Sequence, residues 1–234
     1  MGEAIVVTSG KGGVGKTTIA TALAVAAVQD GKQVAVFDLD PQASACFWAD
    51  RRKAKKGADQ PESPMVRDIN ATRLTNYLDA MREAEADLVI LDCPPVHRDI
   101  AAAALEAADM VLIPTRPEML DIRATSQTVK YTQQVNKRPA VVLTFCPSSG
   151  TEAAEAREIV SKMGADLVPV DIHSRKAYSR AQIEGLTAQE LEAEGKAAAE
   201  IKRLYEYTNI ALYGVANGSK KAKHGRSVRK SGNS

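Results

Sequence analysis

Residues 8–18 read TSGKGGVGKTT, and this stretch decides the fold. It follows a short apolar run, Ala4-Ile5-Val6-Val7, that reads as a buried strand. It precedes residues 19–29, rich in Ala, Leu and Val, which read as a helix. Strand, glycine loop and helix in that order is the setting in which G-x-x-x-x-G-K-[ST] denotes a phosphate-binding loop. Gly10, Gly15, Lys16 and Thr17 fill the pattern here. Gly12, Gly13 and Gly15 lack a Cβ, so the backbone can approach a phosphate closely. Successive N–H groups, those of Val14 and Thr18 among them, then face the ligand with the positive end of the helix behind them. Lys16 supplies charge for the β- and γ-phosphates, and Thr17 a hydroxyl for Mg2+. The competing reading, a glycine-rich turn with an accidental lysine, is outweighed by the agreement of three consecutive elements.

The bulk properties set the frame. A chain of 234 residues suits one α/β domain with a full core. Hydrophobic content of 44% and charged content of 26% are those of a globular protein. No apolar run approaches the roughly 18 residues of a membrane span, and no secretory signal precedes the first strand. Cys46, Cys93 and Cys146 are widely spaced, which suggests neither a zinc site nor a disulfide framework and fits a reducing cytoplasm. Net charge is +2, unevenly spread. Residues 215–234 hold Lys220, Lys221, Lys223, Arg226, Arg229 and Lys230 and no acid, so the rest of the chain sits at −4. The expected organisation is a domain over residues 1–213 and a basic, disordered tail over 214–234.

Lys11 stands directly after the first glycine, where the general pattern asks for no lysine. The form K-G-G-x-G-K-T-T resembles the deviant Walker A motif of the ParA/MinD family of ATPases. That resemblance implies that Lys11 crosses a dimer interface to the partner subunit's nucleotide; the alternative is a solvated loop lysine. Residues 33–38 (QVAVFD) read as a second buried strand, and DLDPQ at 38–42 is similar to the family's switch I. By resemblance, Asp38 helps hold magnesium and Asp40 orients the attacking water; a strand-end Asp capping the next helix is the alternative for either. DLVILD at 87–92 fits a Walker B strand, with Asp92 binding a water of the magnesium shell. Cys93-Pro94-Pro95 resembles switch II, and Pro114-Thr115-Arg116-Pro117 the family's loop near the nucleotide and dimer interface. Residues 171–185 resemble the segment whose backbone frames the adenine, with Pro169 and Asp171 as its candidate contacts.

Further helices are expected over 43–54, 74–84, 101–108, 122–135, 151–163 and 188–213, and strands over 110–114, 140–145 and 167–170. Residues 51–68 read as an exposed loop. The cluster Arg51, Arg52, Lys53, Lys55 and Lys56 reads first as a solvated helix end and second as a DNA contact. Nearly continuous apolar strands alternating with helices point to a mostly parallel twisted sheet with helices on both faces.

The resemblance implies an ATP- and Mg2+-dependent enzyme with Lys11, Lys16 and Asp40 as catalytic residues. With ATP it would form a homodimer that holds DNA without sequence preference. A ParB-type centromere-binding partner would then stimulate hydrolysis, driving plasmid or chromosome partition in the cytoplasm on the nucleoid. The chain resembles the short form of such ATPases, in which no N-terminal domain is expected before the loop. Candidate DNA contacts are Arg175, Arg180, Lys202, Arg203, Lys220 and Lys221. The alternative is a relative that positions another cargo, such as a chemotaxis cluster. A MinD-like membrane role is weaker, because Val228 is the one large apolar residue beyond Gly218 and no membrane contact is expected. A cluster-binding relative such as the nitrogenase iron protein fits neither the cysteine positions nor the DPQ switch.

Overall fold

The computed structural model describes residues 2–56, 63–95 and 98–214. Seven strands pair into one sheet, every pairing parallel. They are β1 (Glu3–Val7), β2 (Val34–Asp38), β3 (Met65–Asp68), β4 (Leu88–Asp92), β5 (Met110–Thr115), β6 (Pro139–Leu143) and β7 (Asp166–Leu167). Their spatial order is β3-β2-β4-β1-β5-β6-β7. From β1 the chain therefore passes to β2 and the edge strand β3, returns to β4 beside β1, and then winds the other way through β5, β6 and β7. A ligand crevice is expected at the carboxyl ends of the strands where that direction reverses.

Because strand side chains alternate, each face of the sheet collects every second apolar residue. Ile5, Val7, Val36 and Ile90 face one core, which also holds Ile19 and Leu23 of α1 (Lys16–Gln29), Trp48 of α2 (Ser44–Lys56), and Ile201 and Leu204 further on. Val6, Phe37, Leu91 and Ile113 face the other, built with Leu74 and Leu78 of α3 (Leu74–Glu83), Leu105 of α4 (Arg98–Ala107), Val129 of α5 (Met119–Gln134), and Val160 of α6 (Glu152–Ser161). The remaining helices are α7 (Lys176–Ile183), α8 (Ala188–Leu191) and α9 (Lys196–Tyr213). Helix α1 is apolar nearly all round, as a helix between a sheet and a second helix must be; Ala20, Leu23, Ala24 and Ala27 are fully buried.

The expected parallel sheet with helices on both faces is found, with three local corrections. The stretch expected as an exposed loop over 51–68 is partly regular: α2 continues to Lys56, and Met65–Asp68 is the edge strand β3, paired with β2. The last strand is shorter than 167–170, since only Asp166 and Leu167 pair with β6. The single long terminal helix is two. A capping box between Thr187 and Glu190 starts α8, and the chain turns at Glu192 before Gly195 caps α9. Residues 215–234, with Lys220 and Lys221, lie outside the described residues. No described helix is long and apolar enough to cross a membrane.

Candidate functional site

The 8–18 loop leaves β1 and enters α1 at the reversal of the sheet. Gly15 caps the helix in the left-handed region (φ 91°), so a side chain there would be strained. The first turn of α1 carries no acidic residue, which leaves its N–H groups and dipole to an anion. Arg116, just beyond β5, braces the loop: its guanidinium donates to the Gly13 carbonyl at 2.5 Å and stacks on Phe145 at 4.6 Å. Thr144 donates to the Val14 carbonyl at 2.8 Å.

The two lysines of the loop go different ways. Lys16 is buried, and its ammonium donates to the Lys11 carbonyl at 3.3 Å. Burial lowers its pKa, while Asp92 and Asp40 oppose that shift. Lys11 is half-exposed and pairs with the buried Asp121 at the start of α5, at 2.8 Å. Lys16 lines the main cavity, of about 1090 Å³, and Lys11 does not.

Parallel pairing brings the acids together. Asp38 and Asp92 are register partners at the ends of β2 and β4, and Asp92 also faces Val7 of β1. Thr17 donates to Asp92 Oδ2 at 2.6 Å. The other oxygen, Oδ1, is buried with no hydrogen-bond partner. Burial raises the Asp92 pKa to about 7, with the Thr17 hydrogen bond opposing and the Asp38 charge adding. Asp38 is also raised by burial, against N–H groups of Asp40, Cys46 and Ala45 that stabilise its charge. Two buried carboxylates and a hydroxyl, one oxygen left bare, form a hard oxygen set that fits Mg2+. Asp40 lies on the cavity wall with Pro41 and Gln42.

A second cavity of about 250 Å³ opens on the far side of Gly15 and Thr18. Its walls include Phe145, Ile172, His173, Arg175, Tyr178 and Gln182. Glu200 of α9, nearly buried, organises this wall. It accepts from Arg175 at 2.5 Å, pairs with His173 Nδ1 at 2.8 Å and accepts from the Tyr178 hydroxyl at 3.0 Å. Apolar faces with a few convergent polar groups beside a phosphate loop suit a nucleobase.

The structure corrects several expectations. Pro169 and Asp171 line neither cavity: the Asp171 carboxylate pairs with Arg157 at 2.6 Å, and the Pro169 carbonyl accepts from Arg203. The base-side wall instead begins at Ile172. Arg175 is paired with Glu200, while Arg180 and Lys202 are exposed. The cluster at the end of α2 is not simply solvated. Arg52 is buried on Glu190, Arg51 donates to the Ile183 carbonyl, and Lys55 pairs with Glu184. The sequence reading missed Asp121, Phe145, Gln182 and Glu200 as site residues. Gln182 lies within the 171–185 segment already singled out, and Asp121 is an acid five residues after Arg116; Phe145 and Glu200 carried no local cue.

Comparison with known proteins agrees with this geometry. Residues 5–188 match the family described as the CobQ/CobB/MinD/ParA nucleotide binding domain. The chain is 36% identical over 205 residues to the maintenance of carboxysome distribution protein A of Gloeobacter kilaueensis, covering 86% of this chain and 89% of that protein. It is 33% identical over 131 residues to the chromosome-partitioning ATPase Soj of Thermus thermophilus, covering 46% of this chain and 52% of that protein. Among solved structures, the septum site-determining protein MinD of Pyrococcus horikoshii with Mg-ADP superposes with a TM-score of 0.74 at 19% identity, over 89% of this chain and 96% of that one.

Proposed function

The chain belongs to the CobQ/CobB/MinD/ParA nucleotide binding domain family, and on that premise we propose that it is a Mg2+-dependent ATPase that dimerises around ATP and distributes a cargo over non-specific DNA. The loop N–H groups and Lys16 bind the phosphates, and the 172–182 wall takes the base. Thr17, Asp38 and Asp92 would hold Mg2+ or its bound waters; Asp92 Oδ1 is buried with no hydrogen-bond partner among the described residues. When bound, the ion neutralises charge on the β- and γ-phosphates. Asp40 orients the attacking water from the cavity wall.

One observation carries this reading. The same loop sends Lys16 into its own cavity and Lys11 out to the surface on Asp121. Two cations so divided can serve two nucleotides, one in each subunit of a symmetric pair. Size exclusion with ATP, with ADP and without nucleotide tests it, each run with and without non-specific DNA. A dimer only with ATP, retained on DNA, is the expected result; a monomer in all three overturns it.

Two cargo classes fit this cycle. Partition of a plasmid or chromosome with a ParB-type partner draws support from the identity to the chromosome-partitioning ATPase. Distribution of a protein assembly draws support from the higher and longer identity to the carboxysome distribution protein. Deleting the gene and following replicon loss against mislocalisation of a compartment separates them.

A further inference from the structure

Helix α2 is held at its start by an acid of the nucleotide site and towards its other end by the segment that follows the base-side wall. At its start, Asp38 Oδ2 accepts from the Ala45 and Cys46 N–H groups at 2.8 and 3.2 Å, so the acid at the end of β2 also caps the helix. Towards its other end, the Arg52 guanidinium is bidentate to Glu190, at 2.8 and 2.7 Å. It also donates to the Gly185 and Ser63 carbonyls and lies over the Trp48 ring at 5.1 Å. Trp48 in turn donates to the Leu186 carbonyl at 2.9 Å. Gly185 has φ 65°, and a Cβ there would come within 2.1 Å of the Arg52 nitrogen, so the two backbones touch.

The partner of α2 is therefore the turn between α7 and α8. That turn reports directly to the phosphate loop. Gln182, at its start, donates to the Thr18 hydroxyl at 2.7 Å, and Gln189 donates to the Ala22 carbonyl of α1 at 2.8 Å. Glu190 also accepts from Thr187 in the capping box, so its carboxylate cannot swing without loosening α8. A surface charge cluster would be worth little; a buried bidentate pair with filled hydrogen bonds fixes geometry.

We propose that Arg52 and Glu190 are positioning residues that hold the Asp40 loop at its working distance from the phosphate site, with α2 as the strut between them. Asp40 sits between the capped end of α2 and Asp38 and has no ion pair of its own among the described residues. A small rotation of α2 about the Asp38 cap would move Pro41, Gln42 and Asp40 relative to Thr17, while Lys16 and the loop N–H groups stay on α1. Gln182 and Gln189 hold Thr18 and α1 through bonds that involve neither Arg52 nor the Glu190 carboxylate, so the lock acts on hydrolysis rather than on nucleotide capture. This inference rests on the proposed role of Asp40.

The test uses the full-length protein. Arg52→Lys keeps a charge but loses the bidentate fork, and Glu190→Gln keeps the volume. Both should lower kcat for ATP roughly tenfold, as a displacement of under an ångström does, with KM within twofold and fluorescent ATP-analogue affinity unchanged. Each substitution is then repeated in an Asp40→Ala background, where it should produce no further loss. An unchanged kcat in both single variants overturns the proposal, as does the same fold-loss with Asp40 already removed. If both variants melt early, KM and analogue affinity at a temperature where they remain folded decide: a parallel loss of binding marks a general structural role and overturns the proposal. Full turnover by Asp40→Ala alone would overturn the role of Asp40 itself, a distinct failure.

Discussion

The Lys11 ammonium lies 2.8 Å from the Asp121 carboxylate, joining the phosphate loop to the first turn of α5. The acid is buried and the lysine is half-exposed, so the ammonium is tethered at its own subunit's surface. Delivery to a second subunit must break that pair. A pair open to water on one side is worth about 1 kcal/mol or less, a modest barrier. Asp121→Asn should therefore shift ATP-dependent dimerisation to roughly twofold to fivefold lower protein concentration, read by sedimentation equilibrium. Weaker dimerisation would mean that the pair belongs to the closed form.

Asp40→Ala should retain ATP binding and the ATP-dependent dimer while slowing hydrolysis by about a hundredfold, the usual share of a positioned proton or water acceptor. Phosphate release under saturating ATP measures this. Lys16→Ala, by contrast, should lose nucleotide outright in equilibrium dialysis.

Arg116 holds the phosphate loop from the side, through the Gly13 carbonyl and the Phe145 ring. Its Nε is buried without a hydrogen-bond partner among the described residues, while its other arm lies 4.0 Å from the exposed Glu118 carboxylate. A charged hydrogen bond of this kind contributes about 1.5–3 kcal/mol. Arg116→Ala should weaken ATP binding by tenfold or more, whereas Arg116→Lys should recover part of it.

Asp92 gives the nucleotide-free protein a pH dependence with a defined sign. Its pKa is raised from the ordinary carboxylate value to about 7 by burial. The folded state thus binds the proton more tightly than the unfolded state, and the Asp92 contribution to stability is greatest below the ordinary carboxylate pKa. Stability should fall as pH rises through about 7 and then level off. Thermal melts across this range test it. Asp92→Asn should flatten the slope, and Mg2+ with ADP should do the same by supplying a partner for the charge. A melting temperature that rises through that window in the unliganded protein would contradict the assignment.

Much of this was legible in the sequence, for identifiable reasons. The phosphate loop is local: Gly10 to Thr17 fixes its own geometry, and one strand and one helix frame it. Asp38 and Asp92 were legible because each ends a continuous apolar run, and parallel register then brings them side by side. The base-side segment 171–185 was marked by resemblance alone; the wall it forms was not legible, because that depends on Glu200 reaching back across 25 residues to Arg175 from another helix. The basic cluster at 51–56 misled for a similar reason. Nothing local tells Arg52, which meets Glu190 138 residues later, from Lys53, which is exposed. The break before α9 had a local signal in Gly195, but the apolar spacing ran through it.

Residues 215–234 add six cations and no acid after α9. Removing residues 219–234 should weaken binding to non-specific duplex and flatten its dependence on salt, since each lost phosphate contact lowers the slope by about 0.9. Fluorescence anisotropy across a salt series reads both quantities. Unchanged affinity at low salt would assign the DNA contacts to Arg180, Lys202 and their neighbours on the folded domain.

In the proposed dimer each nucleotide is served by Lys16 of its own subunit and Lys11 of the other. Mixing two inactive variants, Lys11→Ala and Lys16→Ala, tests it most directly. A mixed dimer has one site with both lysines intact, so ATP turnover should return in the mixture while each variant alone stays silent. A mixture as inactive as its components, or wild-type turnover by Lys11→Ala alone, would contradict it.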